Sequence, residues 1–404
     1  MKNLTFFLIF CIFIFSCKPD EMPIPDYTEE SAIFYDIRLA SDVVVLDDNF
    51  YFFGEKNDTM YFTKISVKGE VHFIEKLKNF FPQKPQNFDS LQQFTFSISP
   101  TNNFVIVFKY NGIANLLHIS PQGKLLTSFS PSFFIPDSSC YLGFLGINSA
   151  GNSVVIYLGE NYLGEKIFHY EEYNPSGQMK NFYEWSLPAN KNLISGVFQL
   201  ANDNLIFLAQ ESNNEIDSFF TFVYSVNGNL LHKDYFYNVK TNSYNFYLNK
   251  INQTSNNLCF VNVFFQISTG GLENFFLCLN KNGELLWGNI KKPKELTNTI
   301  LLFGTENPNN HLYYLLSSEL NFDSEDFSWY DIYLKRNVRS TFHIVDGNGQ
   351  TIRENMVQPM RTVNAAIHFS QNGNVTILSA KTLYERFYNI MLTKVDSTGN
   401  LLTK

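Results

Sequence analysis

Leu279-Asn280-Lys281-Asn282-Gly283-Glu284-Leu285-Leu286-Trp287 is an apolar run, a polar turn closing on glycine, and a second apolar run. Glycine tolerates the positive φ that tight turns between antiparallel strands demand, so the stretch predicts a hairpin. The turn returns with variation at Gly69, Gly123, Gly177, Gly228, Gly349 and Gly399. A second marker alternates with it: a polar turn ending in Asn before a β-branched or aromatic run, at Asn49, Asn103, Asn152, Asn204, Asn257, Asn310 and Asn374. Two hairpins per unit make four strands. In the fourth unit they read as residues 195–201, 204–210, 218–226 and 229–236.

The second and third strands often run apolar without alternation, as in FVIVF, SVVIY and LCFVNVFF, so both of their faces are covered. Sheets stacked face to face do that. Four-stranded units recurring roughly every 50 residues, none able to bury its faces alone, predict an all-β fold: a seven-bladed β-propeller with four antiparallel strands per blade. A surplus strand, Ala32–Leu39, carries Phe34, Ile37 and Leu39 and precedes the first unit, whose inner strand reads as 42–47. It is expected to complete the last blade, so that N- and C-terminal strands pair and close the ring.

Composition agrees. Among 404 residues are 42 Phe and 22 Tyr, with only 17% charged, a balance rich in strand formers. Thirty basic against 38 acidic residues give a net charge of −8, the wrong sign for a groove that must neutralise phosphates, so no nucleic-acid partner is expected. Met1-Lys2-Asn3 followed by the apolar segment 4–15 has the form of a secretory signal, too brief for the ~20 residues of a spanning helix. After it, 17–30 is an extended tether with three prolines and five acids, and 31–404 reads as a single domain. Cys259 and Cys278 fall on neighbouring predicted strands, but a register drawn through Thr269-Gly270-Gly271 misses opposition by about three residues, which favours buried thiols over a disulfide.

The longest insertion, 317–340 in the sixth unit, exceeds the length of ordinary loops and is the candidate binding surface. Trp329 and Tyr330 would stack on a partner or sugar ring, with Tyr333, Lys335, Arg336 and Arg339 beside them to supply hydrogen bonds. Its acidic run, Asn321-x-Asp323-x-Glu325-Asp326, lacks the glycine and distal glutamate of a calcium loop and reads as a solvated turn. The sequence has no HxH, HExxH, paired CxxC, GxSxG or GxxxxGK[ST], so no metal, no cofactor and no catalytic residue is assigned. Neighbouring carboxylates such as Glu171-Glu172 would point to opposite faces of a strand and do not make an acid–base pair.

Three resemblances bear on address and role. Ile14-Phe15-Ser16-Cys17 resembles the lipobox of bacterial lipoproteins, which implies that 1–16 is removed and Cys17 is acylated, palmitate included, giving a membrane partner. Lys18-Pro19-Asp20-Glu21 resembles the export signal of surface lipoproteins of the Bacteroidota, which implies the outer membrane and its cell-surface side. From Asn49 onward the turns, especially Val395-Asp396-Ser397-Thr398-Gly399-Asn400-Leu401-Leu402, resemble PQQ-like and WD40-like propeller repeats of exported proteins. Quinoproteins of that group carry a recurrent tryptophan after the glycine turn. Here Trp287 alone holds that place, and it reads as local packing. The expectation is a non-catalytic scaffold for a protein or glycan partner; the alternative is a channel-site enzyme, either a glycan hydrolase or lyase or a quinoprotein-like oxidoreductase.

Overall fold

The computed structural model describes residues 32–39, 43–57, 59–80, 92–99, 101–110, 113–130, 141–160, 166–186, 192–199, 202–212, 216–240, 245–253, 259–266, 272–280, 282–289, 299–307, 309–319, 340–358, 362–383 and 387–402. After β1 (Ala32–Leu39), the first unit comprises β2 (Val44–Leu46), β3 (Asn49–Lys56), β4 (Thr59–Ser66) and β5 (Val71–Lys76). The second has β6 (Gln92–Ile98), β7 (Phe104–Tyr110), β8 (Ile113–Ile119) and β9 (Leu125–Phe129), and the third β10 (Tyr141–Ile147), β11 (Ser153–Glu160), β12 (Lys166–Tyr173) and β13 (Met179–Ser186). The fourth has β14 (Asn192–Gln199), β15 (Leu205–Ser212), β16 (Ile216–Tyr224) and β17 (Leu230–Lys240). The fifth has β18 (Asn245–Gln253), β19 (Cys259–Gln266), β20 (Leu272–Leu279) and β21 (Leu285–Asn289). The sixth has β22 (Thr299–Glu306), β23 (Tyr313–Glu319), β24 (Ser340–Val345) and β25 (Thr351–Gln358), and last come β26 (Thr362–Phe369), β27 (Val375–Leu383) and β28 (Phe387–Val395).

Units two to six are each a four-stranded antiparallel sheet in chain order. The first and last are fused into one eight-stranded sheet, because β1 lies between β28 and β3. Ile33 pairs with Leu392 and Tyr35 with Ile390; after a bulge, Arg38 and Leu39 reach Glu55 and Gly54. Gly54 is required there, since a Cβ would stand 2.6 Å from the Ile37 side chain. Arg38 and Glu55 then form an ion pair at 3.1 Å. The surplus strand therefore joins the two ends of the repeat array. The first strands of successive units lie against one another, β26 returning to β2, and His368 on β26 contacts Asp48 beside β2 at 3.1 Å. The chain is all-β, in a propeller arrangement.

Its core lies between units rather than inside one. Tyr51, Phe53 and Phe62 of the first unit meet Phe96, Phe104 and Leu117 of the second, while Phe50 and Phe52, one residue out of phase, meet Ala366, Leu378 and Ile390 of the last. This is why FYFF is apolar without alternation: each strand face packs on a different neighbouring unit. Each such phenylalanine, fully buried, is worth about 1.5–3 kcal/mol of transfer free energy.

The glycine turns share one construction. In the last of them, Gly399 N donates to Asp396 O and Asp396 N to Asn400 O, each at 2.9 Å, while Asp396 Oδ1 accepts from the Thr398 and Asn400 amides. The Thr398 hydroxyl bond, together with these backbone bonds, holds the Asp396 carboxyl down at about 2. In the Asn turns the left-handed residue usually precedes the marker: Asn102, Gly151, Asp203 and Gly373 have positive φ, and Asn103, Asn152, Asn204 and Asn374 do not. The marker Asn therefore stands at the entry to the next strand, one residue past the left-handed position.

Trp287 is more than local packing. Its ring lies 2.7 Å from where a Cβ on Gly349, in the next unit, would stand, and Trp185 does the same to Gly228 at 2.9 Å. Both glycines have φ near +80°: +76° for Gly349 and +86° for Gly228. Cys278 is a buried thiol opposite Phe260, and Cys259 lies opposite Leu279. The register thus misses by one residue rather than three, and a one-residue offset assigns the two positions to opposite faces of the sheet.

Gly349→Ala meets both the left-handed backbone and the indole, and should lower unfolding stability by about 1–3 kcal/mol in denaturant titration. Removing Ala32–Leu39 should lower the melting temperature of the whole domain; melting like the parent would contradict the closure.

Candidate functional site

Antiparallel order places the Asn and Gly turns on one face and, on the other, the links between units together with those between second and third strands. The end of β23 and the start of β24, between which residues 320–339 fall in the sequence, lie at this loop face. Trp329, Tyr330, Tyr333, Lys335, Arg336 and Arg339 lie outside the described residues, as do Asp323 and, at the other end of the chain, Cys17. The root of the insertion is described. Ser317 Oγ lies 2.6 Å from His343 Nε2, and His343 Nδ1 is 3.7 Å from Glu354 Oε2. Burial lowers the His343 pKa, with Glu354 opposing in part, so the imidazole is neutral near pH 7; the Ser317 hydroxyl shares a hydrogen bond with Nε2 and also donates to Thr341 O at 3.4 Å. Serine, histidine and carboxylate in that order resemble a nucleophile relay. Ser317 is only 2% exposed, however, and sits within a regularly paired strand, so it braces the strands from which the insertion departs.

A second cluster lies in the seam between units two and three. His118 Nε2 and Ser153 Oγ are 2.8 Å apart across the sheets. The Tyr173 hydroxyl donates to Glu171, whose side chain is fully buried, and His169 Nδ1 is 3.2 Å from Glu184 Oε2. Burial first, then the proximity of Glu171 and Tyr173, raises the Tyr157 pKa, keeping that phenol protonated. Burial lowers His118 to about 4 and also lowers His169. Glu171 pairs in register with Val155 and Phe182, whereas Glu172 pairs with Val154 and Asn181 on the opposite face. There Asn148, Asn152 and Asn181 each donate an amide N–H to the Glu172 carboxylate. Burial pushes Glu172 up, but these three bonds outweigh it and leave the pKa below its ordinary value. The two neighbouring carboxylates are thus separate structural sites.

Sequence reasoning treats these histidines as ordinary strand residues and misses the seam. Its signal is period-two polarity inside apolar runs: Ser153, Val155 and Tyr157 face Tyr173, Glu171 and His169 in register. The groups are suited to proton exchange chemically, but at 4% exposure for His118 and 6% for Tyr157 they are closed to any large ligand. Among the described residues no group of three or more His, Cys, Asp or Glu is placed to hold a metal, and no helix is long and apolar enough to cross a membrane.

No family model matches the chain, and neither does any curated protein. Solved structures do. The chain is similar to an ulvan lyase of polysaccharide lyase family PL25, with TM-score 0.52 and 10% identity over 91% of this chain and 96% of that one. The same enzyme bound to -[GlcA(1-4)Rha3S]- gives 0.51 at 10% identity over the same shares. The polysaccharide lyase Uly1 gives 0.50 at 9%, over 89% and 90%. At such identities the likeness is one of fold, and it is a likeness to propellers.

The seam makes the domain acid-sensitive. The unfolded chain protonates His118 near the ordinary 6.5 and the fold only near 4, so the unfolded state binds more protons between those values and stability falls as pH drops through that window. His169 and His343 add to it in the same direction. Melting temperature should decline from pH 6.5 to 4, and His118→Gln, which keeps a polar partner for Ser153, should flatten part of that decline.

Proposed function

We propose that the chain is a seven-bladed propeller, held at the outer membrane by acylated Cys17, which acts on an anionic polysaccharide from its loop face by lyase or hydrolase chemistry. The observation that carries this reading is the end-to-end fold likeness to polysaccharide lyases, spanning 91% of this chain and 96% of the ulvan lyase. The repeat count of seven glycine and seven Asn turns supports the ring size. In lyase chemistry a base takes the proton on the carbon next to the uronate carboxylate, the bond to the leaving oxygen breaks, and an acid returns a proton to that oxygen. The product carries a conjugated double bond.

A second reading, a non-catalytic scaffold for a protein or glycan, is favoured by one feature. The acid–base groups gathered in the seam, Glu171 and Tyr173 among them, are buried.

Incubation with a polymer of glucuronate and 3-sulfated rhamnose separates the readings. Elimination gives rising ultraviolet absorbance, hydrolysis gives new reducing ends without it, binding with neither supports the scaffold, and no binding overturns both for this glycan class. Replacing Trp329 and Tyr330 by Ala should weaken glycan or partner capture by intact cells at unchanged melting temperature. Cys17→Ser should move the protein from the membrane to the soluble fraction and abolish palmitate labelling.

A further inference from the structure

On the outer rim of the first unit, a cleft of about 430 Å³ is lined by Tyr61, Phe73, Ile74, Glu75, Lys76, Lys78 and Asn79. That volume falls within the ~300–1,000 Å³ of small-ligand sites. Its geometry originates in a bulge. Thr63 pairs with Phe73 but Phe62 pairs with Glu75, so Ile74 is the extra residue of β5. An extra residue reverses the alternation beyond it. Ile74 consequently turns inward, onto the core and against Gly123 of the second unit, while Phe73 and Lys76 share the opposite face with Tyr61.

The result is a pair of rings flanked by cations. Tyr61 and Phe73 have centroids 5.0 Å apart at 56°, and Phe73 is 40% exposed although it is a large apolar side chain. Lys76 Nζ lies 5.9 Å from the Tyr61 centroid and Lys56 Nζ 5.5 Å from that of Phe73. Lys78 adds a third ammonium on the wall. The one carboxylate in the lining, Glu75, is engaged: Oε1 accepts the Lys76 amide at 2.8 Å and the Asn79 side chain. On a protein of net charge −8, this is a local concentration of positive charge around exposed aromatic surface.

We infer that this cleft is a subsite for an anionic saccharide, a pyranose ring covering Phe73 and Tyr61 while its carboxylate or sulfate meets Lys76 and Lys78. Aromatic faces take the apolar face of a sugar, and an ammonium is a point-charge partner for either anion. The cleft opens toward the loop face, since Lys56 ends β3 at the link to β4 and Leu77–Phe80 begins the link to the second unit. A polymer worked on at that face would run outward over this rim. The inference deepens the proposed function and rests on it for the class of ligand.

The test is calorimetric titration of the mature chain with an oligosaccharide of glucuronate and 3-sulfated rhamnose, alongside its desulfated form. Lys76→Gln with Lys78→Gln should weaken binding at least about tenfold at unchanged melting temperature, and Phe73→Ser should weaken it also. A loss of affinity on desulfation identifies sulfate as the anion, and equal affinity identifies the carboxylate. Parent-like affinity in the double lysine variant overturns the subsite, and parent-like affinity in Phe73→Ser overturns the stacking geometry. If the parent cleaves the polymer and the double variant binds and cleaves it equally, the subsite falls while the proposed function stands. If binding is lost in the variant but the parent cleaves nothing, the subsite stands and the catalytic reading falls.

Discussion

A side chain on the outer part of one sheet occupies the place where the turn glycine of the next sheet would carry its Cβ, and the ring depends on that contact. Ile74 lies against Gly123, Phe129 against Gly177, Trp185 against Gly228, Trp287 against Gly349, Phe342 and Asn355 against Gly399, and Ile33 and Tyr35 against Gly69. The last pair belongs to β1, so the surplus strand carries the same contact across the junction of the chain's ends. Polar bonds reinforce it: the Tyr35 hydroxyl donates to Gly69 O at 2.7 Å, and Arg353 and Asn355 donate to Thr398 O. Glycine serves twice at each point, adopting the left-handed backbone and leaving room for the neighbour.

That constraint explains why the units differ so much elsewhere. A sheet held to its neighbours at the turn face can vary its seams, and the seams do vary: aromatic between units one and two, and between two and three apolar side chains interleaved with polar groups such as His118 and Ser153. The seam is satisfied in part within itself, by Ser153 on His118 and Tyr173 on Glu171, while the buried Tyr157 hydroxyl makes no hydrogen bond to a described residue. Buried groups of this kind stabilise only in one protonation state, so the seam trades breadth of pH tolerance for a specific fit.

Hairpins, unit length and closure are legible in the sequence because each arises from local chemistry. Gly283 and Asn204 mark turns by backbone preference, and Ala32–Leu39 stands out as apolar sequence with no partner of its own. Fourth-unit strands read at 204–210 and 218–226 fall at Leu205–Ser212 and Ile216–Tyr224. The illegible features depend on register between distant segments. Trp185 stands eight residues beyond its glycine and Trp287 four, so spacing from the turn conceals their common role. The Ile74 bulge, which places Phe73 beside Tyr61, has no signature in residue type. Cys259 and Cys278 are displaced in the same way by a loop whose length does not reveal its pairing.

The face that the turns leave alone is the one on which the proposed function is placed. The turn face is committed to holding sheets together, and the loop face is where links vary, where the 320–339 segment departs, and where the cationic cleft opens. That face is carried on a continuous ring only if β1 completes it. Native-state hydrogen exchange tests this most directly. The amides of Ile33 and Tyr35 should exchange with the same opening free energy as those of Leu378 and Phe52 in the strands they join; rapid exchange in β1 beside full protection in β27 and β3 would contradict it.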